Sequence, residues 1–341
     1  MRLAILGTGL IGASIGLRLK RDGQPGAFEL VGYDKYYEVA RTALRAGAID
    51  RVAQTAREAV DGADLVIIAV PVLAIRVLLE EIAPAVRADA IITDTGSTKA
   101  EVLRWAAEYL PTHEGFVGSH PMAGKTEAGP RAADADLFVD ARWVIVPAVH
   151  SSDNAIEQVT ALAESMSAKP MIMDAAEHDA YVAAISHMPH LAATALFSMV
   201  RASEAWPELS MLAAGGFKDM TRLSATDAAM AFDIAVTNRE HATHWLDRYI
   251  AALRELRDRV ADIEGDQELF KLIAENEYEY TAYRNGKVGR EESSGTPSLS
   301  PMSFQEMLTG GWVSDKLDEI TRGSEERVRE NEQRRRDRRD I

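Results

Sequence analysis

The sequence predicts an α/β region built on a doubly wound parallel sheet, followed by an all-helical region. Three observations carry that expectation. Short apolar runs alternate with helix-patterned stretches through the first half of the chain, and repeated β–α units of this length build parallel sheets with helices on both faces. A glycine-rich turn joins the first apolar run to the first helix. After about Met173 the chain becomes rich in Ala, Leu, Met and Glu with helical periodicity, as far as roughly Ile263. With 341 residues the chain has room for two cores. The expected boundaries are 1–173 for the sheet region, 174–284 for the helical region and 285–341 for a charged extension.

Arg2–Gly7 is the first strand, and it runs straight into Gly7-Thr-Gly-Leu-Ile-Gly12. A helix pattern follows over Ala13–Lys20, then a second strand, Glu29–Tyr33, that ends in Asp34. This is a dinucleotide fingerprint in its required setting of strand, turn and helix, so the region is Rossmann-type. Gly7 permits the tight turn, Gly9 lets backbone approach a pyrophosphate, and Gly12 lets helix and strand pack closely. Leu10, Ile11 and Gly12 begin a helix whose free N–H groups and positive dipole end suit phosphate. Asp34 lies 22 residues beyond Gly12, where a carboxylate accepts bonds from a ribose 2′-hydroxyl and repels a 2′-phosphate. The expected cofactor is NAD rather than NADP.

Ala63–Val70 is a continuous apolar run, as for a strand buried on both faces, and it stops at Pro71 before a helix-like stretch reaching about Val86. Ala90–Asp94 is the next strand, with Thr95-Gly-Ser-Thr-Lys99 as its turn. Ser97 reads either as the N-cap of a helix starting near Thr98 or as a crevice residue. Gly115–Gly118 and Arg142–Pro147 complete the strands. Ligands of such sheets bind beyond the carboxyl ends of the strands. Gly7–Gly12, Val70-Pro71, Ser97 and His120 all lie at such ends and converge on one crevice. Taken alone, Gly118–Pro130 is equally well a surface turn. The convergence singles out His120.

Composition excludes several classes. A formal net charge of −15 argues against nucleic acid and against anionic membrane as partners. The absence of cysteine removes disulfides and thiolate chemistry. No unbroken apolar run reaches the ~18 residues of a membrane span, and the N-terminal residues enter a strand without a basic leader. The expectation is a cytoplasmic protein.

The first helix of the second region holds His178-Asp179 and Ser186-His-Met-Pro-His190. At about 100° per residue, Asp179, His187 and His190 share one side, and Pro189 is expected to bend the helix. No further ligand pair accompanies them, so no metal is expected. Gly215-Gly216 then opens a segment bearing Lys218, Asp219 and Arg222. Arg222 reads equally as a carboxylate clamp or as an ion pair with Asp219. Glu325–Asp340 is a solvated charged tail.

With these residues in hand, the chain resembles the prephenate/arogenate dehydrogenase family of tyrosine biosynthesis. The resemblance spans Met1 to about Val260. It rests on Gly7–Gly16, Asp94–Lys99, Ser119-His-Pro-Met-Ala-Gly124, Ser186–His190 and Gly216–Arg222. It implies a plan like that of 6-phosphogluconate dehydrogenase, in which the helical domain forms a homodimer and the active site lies between domains. It further implies NAD-dependent oxidative decarboxylation of prephenate or arogenate, with His120 accepting the proton of the ring C4 hydroxyl and Ser97 beside it. Arg222 matches the arginine that binds a substrate carboxylate. His190, Asp219, Thr126 and Glu127 match residues that line or gate the pocket, and Asp179 matches one that reaches toward the partner subunit's site. Lys125 departs from the family pattern and becomes a further candidate for a substrate carboxylate. Ala231 stands near a position where many members carry Trp. A β-hydroxyacid dehydrogenase needs a lysine on the first helix of the helical domain, and 178–205 has none. A cofactor-binding sensor without turnover leaves His120, Ser97 and Arg222 without a purpose.

Overall fold

The computed structural model describes residues 1–22, 28–125 and 127–286. In the sheet region the chain runs β1 (Arg2–Leu6), α1 (Leu10–Asp22), β2 (Glu29–Tyr33), α2 (Tyr37–Arg45), β3 (Arg51–Val52) and α3 (Ala56–Val60). It continues through β4 (Leu65–Ile68), α4 (Val72–Ile82), β5 (Ile91–Asp94), α5 (Ala100–Tyr109), β6 (Phe116–Pro121), β7 (Arg142–Pro147), α6 (Asp153–Ser165) and β8 (Lys169–Ile172). The strands form one sheet in the order β3-β2-β1-β4-β5-β6-β7-β8. The order reverses between β1 and β4, and the crevice above that switch point is the ligand site of doubly wound sheets.

Both faces of the sheet are covered, which explains the unbroken apolar runs. Leu3, Ile5, Leu65 and Ile67 enter a core on one face with Ala13 and Ile15 of α1 and Val159 and Leu162 of α6. Their neighbours Ala4, Leu6, Val66 and Ile68 enter a second core with Ile75 and Leu79 of α4 and Trp105 of α5. Successive strand residues point to opposite faces, so every position is apolar.

Three features differ from the sequence expectation. β7 pairs antiparallel with β6, whereas the repeated units predicted a parallel strand. Among its described residues the segment between them holds a 3-10 turn, Pro130–Ala132, and no crossover helix of the kind a parallel return needs. β3 and β8 were not expected. β3 has two residues, and β8 carries Pro170 and is largely exposed, which hides its pattern. Helix α4 ends at Ile82, short of Val86.

The helices that follow are α7 (Ala175–Val182), α8 (Met188–Arg201), α9 (Trp206–Leu212), α10 (Gly215–Thr221), α11 (Ala228–Thr237) and α12 (Arg239–Ala261). A π-helical turn, Ala183–His187, links α7 to α8. It sits immediately before Pro189, where a bend was expected. A wider turn re-registers the backbone bonds and accommodates a proline that has no N–H to give. The resulting helix, Ala175–Arg201, has 27 residues, and a stretch of it reaches a mean hydropathy of 1.2, long and apolar enough by length and composition alone to cross a membrane. It holds no unbroken apolar run of ~18 residues, in keeping with the sequence expectation. A few polar residues among apolar ones break the runs in sequence without lowering the average enough.

By compactness the chain divides into Met1–Asp262, which contains the sheet and the helices through α12, and Ile263–Ile341. Of the second unit the described part is chiefly α13 (Asp266–Arg284). The charged tail and most of the expected extension lie outside the described residues, as does Thr126.

Candidate active site

At the end of β1, Gly7 adopts φ 93°, a conformation that costs glycine least. A Cβ on Gly12 would lie 2.0 Å from the Gly7 carbonyl oxygen, so helix and turn touch. A Cβ on Gly9 would meet nothing within 4 Å. The backbone there faces open space, as a pyrophosphate requires. Leu10 and Ile11 open α1 beside it. Asp34, at the end of β2, accepts from Thr8 N at 2.9 Å through Oδ2 and from Tyr36 N at 3.0 Å through Oδ1. These bonds fix the carboxylate and leave lone pairs for a ribose hydroxyl. The β4–α4 loop closes the other side. A Cβ on Gly7 would meet the Ala69 carbonyl oxygen at 2.3 Å and Val70 Cγ1 at 2.6 Å, so Val70 and the adjoining Pro71 flank the turn. Turn, helix end, acid and flanking loop together fit a dinucleotide.

The ends of β5 and β6 are tied by a buried ion pair. Lys99, fully buried, bonds through Nζ to Asp94 Oδ2 and, at 2.8 Å, to the Ser119 carbonyl. Asp94 also accepts from Gly96 N at 2.7 Å and Ser119 N at 3.2 Å. An ammonium buried this deeply is tolerable only when paired. The pair locks the Thr95–Thr98 turn, with Ser97, against β6, which carries His120 near its end. Ser97 is not the cap of α5. The helix begins at Ala100, and its first N–H groups are capped from another element.

That cap is Asp179. Its Oδ1 accepts from Lys99 N at 2.8 Å and its Oδ2 from Ala100 N at 2.9 Å. Oδ1 also pairs with His178 Nδ1 at 2.7 Å, and His178 Nε2 lies 2.9 Å from His120 Nδ1. Burial opposes ionisation of Asp179, yet the bonds from His178, Ala100 N and Lys99 N hold its carboxyl below the usual range. An ionised Asp179 accepts a hydrogen bond from His178 Nδ1–H, His178 Nε2 then accepts from His120 Nδ1–H, and His120 Nε2 is left with a free lone pair. Burial, above all, drives the His120 pKa well below its ordinary value, and a second positive charge beside His178, Lys99 and His187 would be repelled. The ring is a neutral base at neutral pH. Both oxygens of Asp179 are engaged within its own chain, and it is 2% exposed.

His187 is fully buried, with Nδ1 3.2 Å from Asn238 Nδ2. Burial lowers its pKa to about 4, against the raising effect of Asp179. His190 is half-buried. Burial, above all, lowers its pKa, opposed by a bond to the Leu223 backbone and reinforced by the nearby Arg222 charge. Arg222 is exposed at the end of α10, and among the described residues it makes no ion pair with Asp219, which removes that alternative. Asp219 is exposed on α10. Glu127 is exposed, and Lys125 pairs with Asp134 at 2.9 Å, so its charge is met within the loop.

The structure thus brings together His120, Ser97, the glycine turn, Asp34 and the Val70-Pro71 loop at the carboxyl edge of the sheet, with His187 and Asp179 packed over that edge. His178, Lys99 and Asn238 were not singled out from sequence. For His178 the signal was its place directly before Asp179. For Lys99 it was a lysine ending a turn between buried strands. Asn238 carried none.

Fold and crevice define a two-part nicotinamide-dependent dehydrogenase. The nucleotide-binding domain of prephenate dehydrogenase matches residues 15–172, and its dimerization domain matches 174–275. The chain is 36% identical to the prephenate dehydrogenase of Bacillus subtilis, covering 80% of this chain and 73% of that one. It is 35% identical to the cyclohexadienyl dehydrogenase of Zymomonas mobilis, covering 77% and 90%. The crystal structure of prephenate dehydrogenase from A. aeolicus in complex with hydroxyphenyl propionate and NAD+ superposes with a TM-score of 0.76 at 26% identity, covering 83% and 98%. The chain belongs to the prephenate dehydrogenase family, and it is an NAD-dependent oxidoreductase.

Proposed function

We propose that the chain catalyses the NAD-dependent oxidative decarboxylation of prephenate to 4-hydroxyphenylpyruvate, and that it does so as a homodimer in the cytoplasm. The observation that carries the reading is the line Asp179–His178–His120, which aims a neutral imidazole nitrogen from the end of β6 beside the dinucleotide turn.

NAD, when bound, supplies the acceptor for the hydride that leaves ring C4. His120 Nε2 accepts the proton of the C4 hydroxyl, the electrons of the C1–carboxylate bond enter the ring as carbon dioxide departs, and the proton returns to the phenolate oxygen that results. Positive charge developing on His120 passes along Nδ1–H to His178 and is stabilised by Asp179 without Asp179 being protonated, a role for a fixed acid behind a catalytic imidazole. Ser97, on the turn fixed by Lys99 and Asp94, bonds the same hydroxyl. Arg222 binds a substrate carboxylate as a guanidinium fork, with His190 and Asp219 beside it. Glu127 and Lys125 sit on the loop after His120 as outer contacts.

The dimer is supported by the apolar side chains the helices leave uncovered. Ile185 is 70% exposed, Met211 79% and Leu212 81%. Large apolar side chains left this exposed gain from being covered by a second chain.

The test is NADH production by the purified protein with prephenate and, separately, with arogenate, each with NAD and with NADP. Prephenate with NAD is expected to give the highest kcat/KM. Faster turnover of arogenate transfers the assignment to the amino acid substrate, and no turnover of either ends it.

A further inference from the structure

The helical region touches the crevice at two places that the proposed reaction does not use. The first is Asp233 on α11. It is 4% exposed, and its Oδ2 accepts from Leu73 N at 3.0 Å. Leu73 lies in the first turn of α4, whose N-cap is Pro71 and makes no side-chain cap bond. Asp233 therefore supplies from 160 residues away a cap that the local sequence lacks. A carboxylate at that end also meets the positive end of the helix dipole. Burial raises its pKa, and the Leu73 N–H works against that rise. The backbone it pins continues directly into Val70 and Pro71, which flank the glycine turn.

The second is Asn238, 5% exposed at the junction of α11 and α12. Its Nδ2 donates to the Asp179 carbonyl at 2.7 Å and lies 3.2 Å from His187 Nδ1. With Nδ1 accepting, the His187 proton sits on Nε2, which is buried without a close partner and faces the Ser97 backbone. Thr237, one residue earlier, meets Thr98 hydroxyl to hydroxyl at 2.9 Å. The α11–α12 junction thus holds the Ser97 turn and also steadies the residue that orients His178.

We propose that Asp233 and Asn238 are positioning residues by which the helical region sets the two crevice loops separately. Asp233 sets the cofactor-flanking loop, and Asn238 sets the turn and relay that meet the substrate. The two residues lie on one short stretch, yet each governs a different kinetic parameter. The inference rests on the proposed dehydrogenase reading for its kcat arm and only on NAD binding for its cofactor arm.

The experiment compares NADH affinity by calorimetry, kcat at saturating cofactor and melting temperature in wild type, Asp233→Ala, Asp233→Asn, Asn238→Ala and Asn238→Ser. Asp233→Ala is expected to weaken NADH about 10-fold, the usual size of a lost buried cap, with kcat at saturation held within about 2-fold. Asp233→Asn keeps an oxygen for the Leu73 N–H and recovers most of the affinity. Asn238→Ala is expected to lower kcat about 10-fold, as for a displaced reacting group, and to leave NADH affinity within about 2-fold. The milder variants, Asp233→Asn and Asn238→Ser, read the same split at smaller amplitude if either alanine variant fails to fold. Variants that lower only the melting temperature, or that shift both parameters together, overturn the proposal. If the wild type turns over neither substrate, the substrate reading fails and NADH affinity alone decides. Weakening in Asp233→Ala without weakening in Asn238→Ala keeps the inference, and equal affinities remove it.

Discussion

The sheet region and the helices that follow it solve the burial problem in opposite ways. In the sheet region, apolar side chains from β1, β4, β5, α1, α4, α5 and α6 fill two cores, one on each face. The helices bury little among themselves. α8 buries only Ala193, α9 nothing and α12 only Ala242. α7, the π turn and α11 bury four polar side chains, His178, Asp179, His187 and Asp233, beside Val182, Ala183 and Ile234. The sheet region closes its own core, while the helices turn polar side chains toward the crevice and leave large apolar ones such as Ile185, Met211 and Leu212 exposed in the single chain. On the proposed reading, those exposed side chains serve assembly.

The comparison breaks most completely at the apolar side. Leu212→Glu places a charge where Leu212 is 81% exposed in the single chain. Burying an unpaired charge in an interface costs several kcal/mol, so the variant is expected to run as a monomer by light scattering. A dimer of unchanged affinity would show that this face is not the interface.

The polar side is sharpened by acid. His187 has a folded pKa of about 4, below its ordinary 6.5. Its contribution is fully present above about pH 6.5 and is lost as pH falls toward 4, because the unfolded chain takes up the proton first. The lost stability is about 3 kcal/mol. Chemical denaturation of wild type and His187→Gln across that range reads the difference between them. The gap is expected to shrink with falling pH, and a gap independent of pH would contradict the burial of a neutral ring.

A smaller effect is expected at Arg222. It carries no ion pair with Asp219, so Arg222→Gln is expected to raise the substrate KM about 10-fold, the size of one charge-assisted contact, with melting temperature unchanged. An unmoved KM would take Arg222 out of the binding site.

Much of the sheet region was legible in the sequence, because strands buried on both faces leave apolar runs and the glycine turn has a fixed spacing. The turn of the chain at β7 was not, since antiparallel return depends on the absence of a crossover helix rather than on any residue of the strand. In the crevice, His120 and Ser97 could be placed because they end strands. The residues behind them could not. Asp179 caps α5 from 79 residues away and Asp233 caps α4 from 160, and a cap supplied by tertiary contact leaves no local pattern. Pro189 was visible as a perturbation, but whether a helix answers with a bend or with a π turn is decided by packing.

On the proposed reading His120, oriented by His178 and Asp179, is the proton acceptor in a crevice lined by both regions. The decisive measurement is kcat for His120→Asn with prephenate and NAD, with NADH affinity measured alongside. A fall in kcat of about 10²–10⁴-fold is expected, the usual contribution of a general base, with NADH affinity and substrate KM close to wild type. Near-wild-type kcat would remove His120 from the base role.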